Sequence, residues 1–138
     1  MVAADALIGK EGFQQANDSL LVLALKNDDH KAQVLYYVEQ LRHVTRLENA
    51  TDNAVLQAQE ELKAKAAEYG YWQYYYQSYQ FVKNYYFNRG FLLKSMECIQ
   101  EMHREALNAD NDYGKWLSDK SLAEIYQNYG AGKSARNP

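Results

Sequence analysis

The stretch Glu68–Gly90, EYGYWQYYYQSYQFVKNYYFNRG, holds eight of the chain's thirteen tyrosines, and Lys83 is the one charged residue between Tyr69 and Asn88. At helical spacing, Tyr75, Tyr79, Val82 and Tyr86 fall on one stripe, and Tyr71, Tyr74, Ser78, Phe81 and Tyr85 on a second. A third line, Gln73, Gln77, Gln80, Asn84 and Asn88, consists of uncharged amides. A helix with two apolar flanks must pack on more than one neighbour, as the inner helix of a stacked array does. Tyrosine suits such crowded but partly wet positions, because the ring packs while the hydroxyl reaches a polar group. Most of these tyrosines therefore read as structural. The alternative is an aromatic platform, for which nucleic-acid bases are the poorer guests because lysine and arginine are scarce nearby.

The surrounding chain fits this helix. Its 138 residues suit one domain, and 47% apolar with 24% charged residues is a globular composition. The only proline is Pro138, and glycines fall mostly where periodic segments stop. Alternating strand patterns are absent and good helix formers dominate. The pattern predicts helices near 12–27, 31–48, 52–69, 71–88, 91–109 and 113–129, with a short one at 3–9. Connections are brief, so neighbouring helices should pair as antiparallel hairpins. Gly70 and Gly90 stand where a left-handed residue closes a helix.

A shift of 40 residues superposes the chain on itself. Tyr86 meets Tyr126, Asn88 Asn128, Val82 Leu122, Ser78 Ser118, Tyr76 Trp116 and Gly90 Gly130; upstream, Ala66 meets Ala106 and Leu62 meets Met102. A constant offset through two helices points to repeated hairpins. The spacings Tyr79-x-x-Val82…Tyr86-x-x-x-Gly90 and Asp119-x-x-Leu122-Ala123-x-x-Tyr126-x-x-x-Gly130 resemble those of tetratricopeptide repeats, with Ser95, Ile99 and Met102 at second-helix positions. Lys83 replaces the family's small residue, the closing proline is missing, and the period is nearer 40 than 34, as in an extended variant. The resemblance implies an all-α, right-handed α-solenoid of antiparallel hairpins, with repeats near 31–70, 71–110 and 111–138. With the segment NADNDYGKWLSDKSLAEIYQNYG it looks like the sensory repeat regions of bacterial regulators. It further implies that first helices line a concave groove presenting Tyr37, Gln40, Gln73, Gln77, Gln80, Asn84, Asn88, Lys120, Glu124 and Asn128. Amide side chains both donate and accept, which suits the backbone of an extended peptide. A line that simply faces water is the plainer reading.

The function expected is a non-catalytic protein- or peptide-binding module, the alternative being a spacer or dimerisation segment. The register leaves the first and last helices without hairpin partners, so the chain is expected to be part of a longer protein or to self-associate through its ends. Net charge is −3 with both signs interspersed, which argues against nucleic acid as a partner. The longest aliphatic run, Leu20–Leu25, is far below the roughly 20 residues that span a bilayer. MVAADALIGKEGF lacks the basic and apolar regions of a secretory signal, and a cytoplasmic setting is favoured over a periplasmic one. Cys98 is the single cysteine, and it reads as a small buried hydrophobe. His30 reads as solvated in a connection, and Glu39 with His43 lacks the second Glu/His pair a di-metal bundle needs. His103 has no useful spacing. Gly130-Ala-Gly-Lys-Ser lacks the upstream glycine and strand of a phosphate loop and reads as a turn. No cofactor or metal is expected, and no catalytic residue.

Overall fold

The computed structural model describes residues 4–136, and side chains as far as 128. A short 3-10 turn, Ala4–Leu7, precedes six α-helices: α1 (Phe13–Lys26), α2 (His30–Arg46), α3 (Asp52–Tyr69), α4 (Trp72–Asn88), α5 (Leu92–Ala109) and α6 (Asp112–Arg136). The chain is all-α over the described residues.

Asp29 caps α2 by accepting from the Ala32 amide at 3.0 Å, and Thr51 caps α3 by accepting from Ala54 at 3.2 Å. Four helices end alike. The amides of Asp29, Tyr71, Phe91 and Asn111 each reach back five residues, to the carbonyls of Ala24, Ala66, Tyr86 and Ala106. The residue before each is left-handed: Asp28, Gly70, Gly90 and Asp110. Two of these closures use aspartate, which tolerates that conformation by bonding locally.

One expected end is corrected. The helix predicted to stop at 129 runs on through Gly130 and Gly132 to Arg136, so GAGKS is not a turn. Glycine permits a left-handed stop without enforcing one, and inside a helix it costs only about 1 kcal/mol. His30 likewise opens α2 rather than lying in a connection.

Consecutive helices pack on one another, and α4 also packs on α2 and α6. Pairing is antiparallel in α3–α4, where Tyr85 near the end of α4 donates to Asp52 at the start of α3 (2.9 Å). The buried residues form two clusters rather than one. Val34, Val38, Leu41, Val55 and Leu62 of α2 and α3 close on Val82, Tyr85 and Tyr86. Ala66, Ile99, Met102, Ala106 and Leu117 close on Tyr75, Tyr76 and Tyr79. Helix α4 belongs to both, which is the physical reason for its aromatic content.

At an offset of 40 residues burial agrees at some pairs and differs at others. Ser78 and Ser118 are both fully buried, as are Ala66 and Ala106, and Leu62 and Met102. Tyr76 and Tyr86 are buried, whereas their counterparts Trp116 and Tyr126 are 56% and 61% exposed. Gly114 lets α6 approach: a Cβ there would stand 2.8 Å from the Tyr76 ring and 2.9 Å from Ala106 Cβ.

Candidate functional site

The amide line of α4 divides along its length. Gln73, Gln77 and Gln80 are half-buried, and Asn84 and Asn88 are exposed. Gln77 donates to the Tyr113 hydroxyl at 2.8 Å, and Gln80 donates to the Ser121 hydroxyl. Both bonds tie α4 to α6. Gln40 faces α1, accepting from Asn17 at 2.9 Å and donating to Gln14 at 3.2 Å. Tyr37 shares with it a cleft of about 430 Å³ bordered by Leu21 of α1 and Glu61 of α3. Lys120, Glu124 and Asn128 are exposed on α6, and Lys120 lies 5.3 Å from the Trp116 ring. About one helical turn before Tyr37 and Lys120, Gln33 and Leu117 are buried.

The ten expected residues therefore do not line one continuous groove. The structure sets Asn84 beside Asn88 in one cleft and beside Asn128 in another. Asn84 borders two clefts, one on each side of the C-terminal half of α4. Towards α2, a cleft of about 510 Å³ sets Asn84 and Asn88 against Arg42, Arg46 and Phe81. Towards α6, a cleft of about 210 Å³ sets Asn84 against Lys83, Met96, Ile125 and Asn128. Phe87 lines both and is 57% exposed. Arg42 bonds Glu39 at 3.2 Å and lies over the Phe81 ring, whereas no ion pair is found for Arg46 or Lys83 among the described residues. The sequence reading missed Phe87, because one aromatic among many gave no sign of which would stay uncovered.

A further cavity, about 660 Å³, is a trough between α3 and α5 on the other side of α4. Tyr75, Tyr79, Val82 and Tyr86 form its floor. The Tyr75 and Tyr79 hydroxyls both donate to Glu105 Oε2, at 2.6 and 2.5 Å, and stand 2.9 Å from each other. Lys63 Nζ lies 2.9 Å from Glu105 Oε1. Burial works to raise the Glu105 pKa, but the two hydroxyls and Lys63 outweigh it and hold the carboxyl below its usual range. Burial and the adjoining carboxylate raise both tyrosines well above their ordinary value. These phenols are fixed hydrogen-bond donors, not proton-transfer groups at neutral pH. Asp52 and Lys94 form a second pair across the trough at 3.1 Å. In the sequence, both cross-trough pairs are 42 residues apart and of opposite charge, a signal that a search for charge pairs at a constant separation would have found.

The remaining candidates for chemistry have structural partners. His43 Nδ1 accepts from the Gly9 amide at 2.9 Å while its ring stacks on Phe13 at 4.1 Å. His30 stacks on Tyr69 at 4.0 Å, and His103 Nδ1 is 3.1 Å from the Ser118 hydroxyl. Burial pushes the Cys98 thiol up to about 12, far from the thiolate a nucleophile needs. Among the described residues no group of three His, Cys, Asp or Glu is set to hold a metal. Among the described residues no helix is long and apolar enough to cross a membrane. Comparison with known proteins brings no family model, no curated protein and no solved structure that matches this chain.

Proposed function

We propose that the chain is a non-catalytic protein- or peptide-binding module of a bacterial signalling or regulatory protein, built as a right-handed solenoid of tetratricopeptide-like hairpins. The stacking of α4 on both α2 and α6, and its share in two successive cores, support the solenoid. The observation that carries the binding site is Phe87, an exposed aromatic between two clefts with Asn84 common to both. An extended segment crossing there would set an apolar side chain on Phe87 and Ile125, and its backbone on Asn84, Asn88 and Asn128. Arg46 and Lys83 favour an acidic flank. Gln77 and Gln80 act differently in this reading: they hold α6 in place and so keep the second cleft formed.

The test is selection of binders from a random twelve-residue peptide library, followed by titration against the Asn84→Ala/Phe87→Ala/Asn88→Ala variant. We expect selected peptides to be acidic with one large apolar residue, and the variant to weaken them at least tenfold with an unchanged melting temperature. Selection that yields no saturable binder, or binders indifferent to the three substitutions, overturns the site and favours the spacer reading.

A further inference from the structure

We propose that the trough between α3 and α5 is a second binding site, which takes a primary ammonium group between its two cross-trough ion pairs. The chain displays the recognition chemistry twice. Lys63 Nζ lies 5.4 Å from the centre of the Tyr75 ring while bonded to Glu105. Lys94 Nζ lies 5.6 Å from the Tyr86 ring and 5.3 Å from Phe91 while bonded to Asp52. Each is an ammonium held by an aromatic face and a carboxylate, an arrangement attractive for cations within about 6 Å.

These two sets mark the ends of the trough. Asp52 and Lys63 are eleven residues apart on α3, as are Lys94 and Glu105 on α5, so the straps are separated by about 16 Å at 1.5 Å per residue. Between them the floor continues as Tyr79 and Val82, and the walls carry Glu60 and Glu97. Glu101 also lines this stretch, but it is tied to Arg104. Neither Glu60 nor Glu97 is in an ion pair among the described residues. The middle therefore has the carboxylates and the aromatic floor of the two ends without their ammonium. Its length admits one lysine side chain with a few residues of extended peptide, at about 3.3 Å per residue, or a short linear polyamine. The site lies across α4 from Asn84 and Phe87 and stands or falls independently of the reading given to that face.

Isothermal titration of the full chain with two probes, spermidine and the peptide acetyl-Ala-Ala-Lys-Ala-Ala-amide, tests the proposal, with the Nε-acetyl-lysine peptide as the uncharged control. At least one ammonium probe is expected to saturate. The Glu60→Gln/Glu97→Gln variant, altered only at two exposed side chains, should weaken that binding at least tenfold without shifting the melting temperature. Raising salt from 50 to 500 mM should weaken it as well. Binding of spermidine alone assigns a free polyamine, and binding of the lysine peptide alone, or of both, assigns a lysine side chain or the ammonium in general. No saturation below about 10 mM, equal binding of the acetylated control, or an unaffected double variant would overturn the proposal.

Discussion

Glu105→Ala should be among the most damaging single substitutions outside the apolar clusters. In the native chain two phenol hydroxyls converge on one carboxylate oxygen, and the tyrosines bearing them are 3% and 6% exposed. With the carboxylate gone, one hydroxyl can donate to the other across 2.9 Å, and the second proton is left without an acceptor. An orphaned buried donor costs about 1–3 kcal/mol. The lost pair with Lys63, whose side chain is 37% exposed, adds at most about 1 kcal/mol. A loss of about 2–3 kcal/mol results, equivalent to a melting temperature lower by about 6–15 °C for a domain of this size. Chemical denaturation of the single variant gives the magnitude; the triple variant Tyr75→Phe/Tyr79→Phe/Glu105→Ala gives the cause. With no hydroxyl left to orphan, the triple variant should be more stable than Glu105→Ala alone. If Glu105→Ala stays within 0.5 kcal/mol of the parent, the reasoning is refuted. A triple variant no better than the single one refutes it equally.

Other substitutions separate space from backbone strain. Gly114→Ala, despite a gain of about 1 kcal/mol in helix propensity, should cost a net 1–2 kcal/mol, roughly, because Tyr76 is buried and has no room to yield. Gly70→Ala should cost about 1 kcal/mol although nothing lies within 4 Å of the new Cβ, since only the left-handed backbone resists; Gly70→Asn should cost less. Burial lowers the His43 pKa, and its Nδ1 must stay unprotonated to accept from Gly9. Stability from this contact is full above the unfolded value of 6.5 and falls as pH drops below it, by up to about 1.4 kcal/mol per pH unit. His43→Gln should flatten a melting curve series between pH 7.5 and 5.5. Glu105 works at lower pH: its depressed pKa gives stability that is present above about 4.5 and lost as pH falls through the folded value, a dependence Glu105→Gln should remove.

Much of the helical architecture is legible in the sequence, because periodicity and turn residues act locally. Gly70 and Gly90 mark helix ends correctly. Asp28 and Asp110 fall in the expected connections, but their left-handed closure of the helix does not show in the sequence, since aspartate adopts that turn without advertising it, and Gly130 misleads because glycine tolerates a helix interior. The amide line is real as a face of α4, but its role depends on what lies opposite each member. Gln77 and Gln80 meet hydroxyls 36 and 41 residues away, while Asn84 meets none among the described residues. That distinction rests on how closely α6 approaches, which Gly114 sets from a position that carries no side chain to read. The trough was hidden for the opposite reason. Each of its charges looks like ordinary helix exterior until α3 and α5 are placed side by side.

The membership of α4 in two clusters has a consequence for how the chain comes apart. An array of hairpins joined only at their edges can fray from either end, one unit at a time. Here Val82 and Tyr79, three positions apart on a single rod, anchor the two halves, so melting either half strips α4 of a supporting wall and weakens the other. Amide exchange should accordingly report one shared opening for α3, α4 and α5, with α1 and the far part of α6 exchanging earlier.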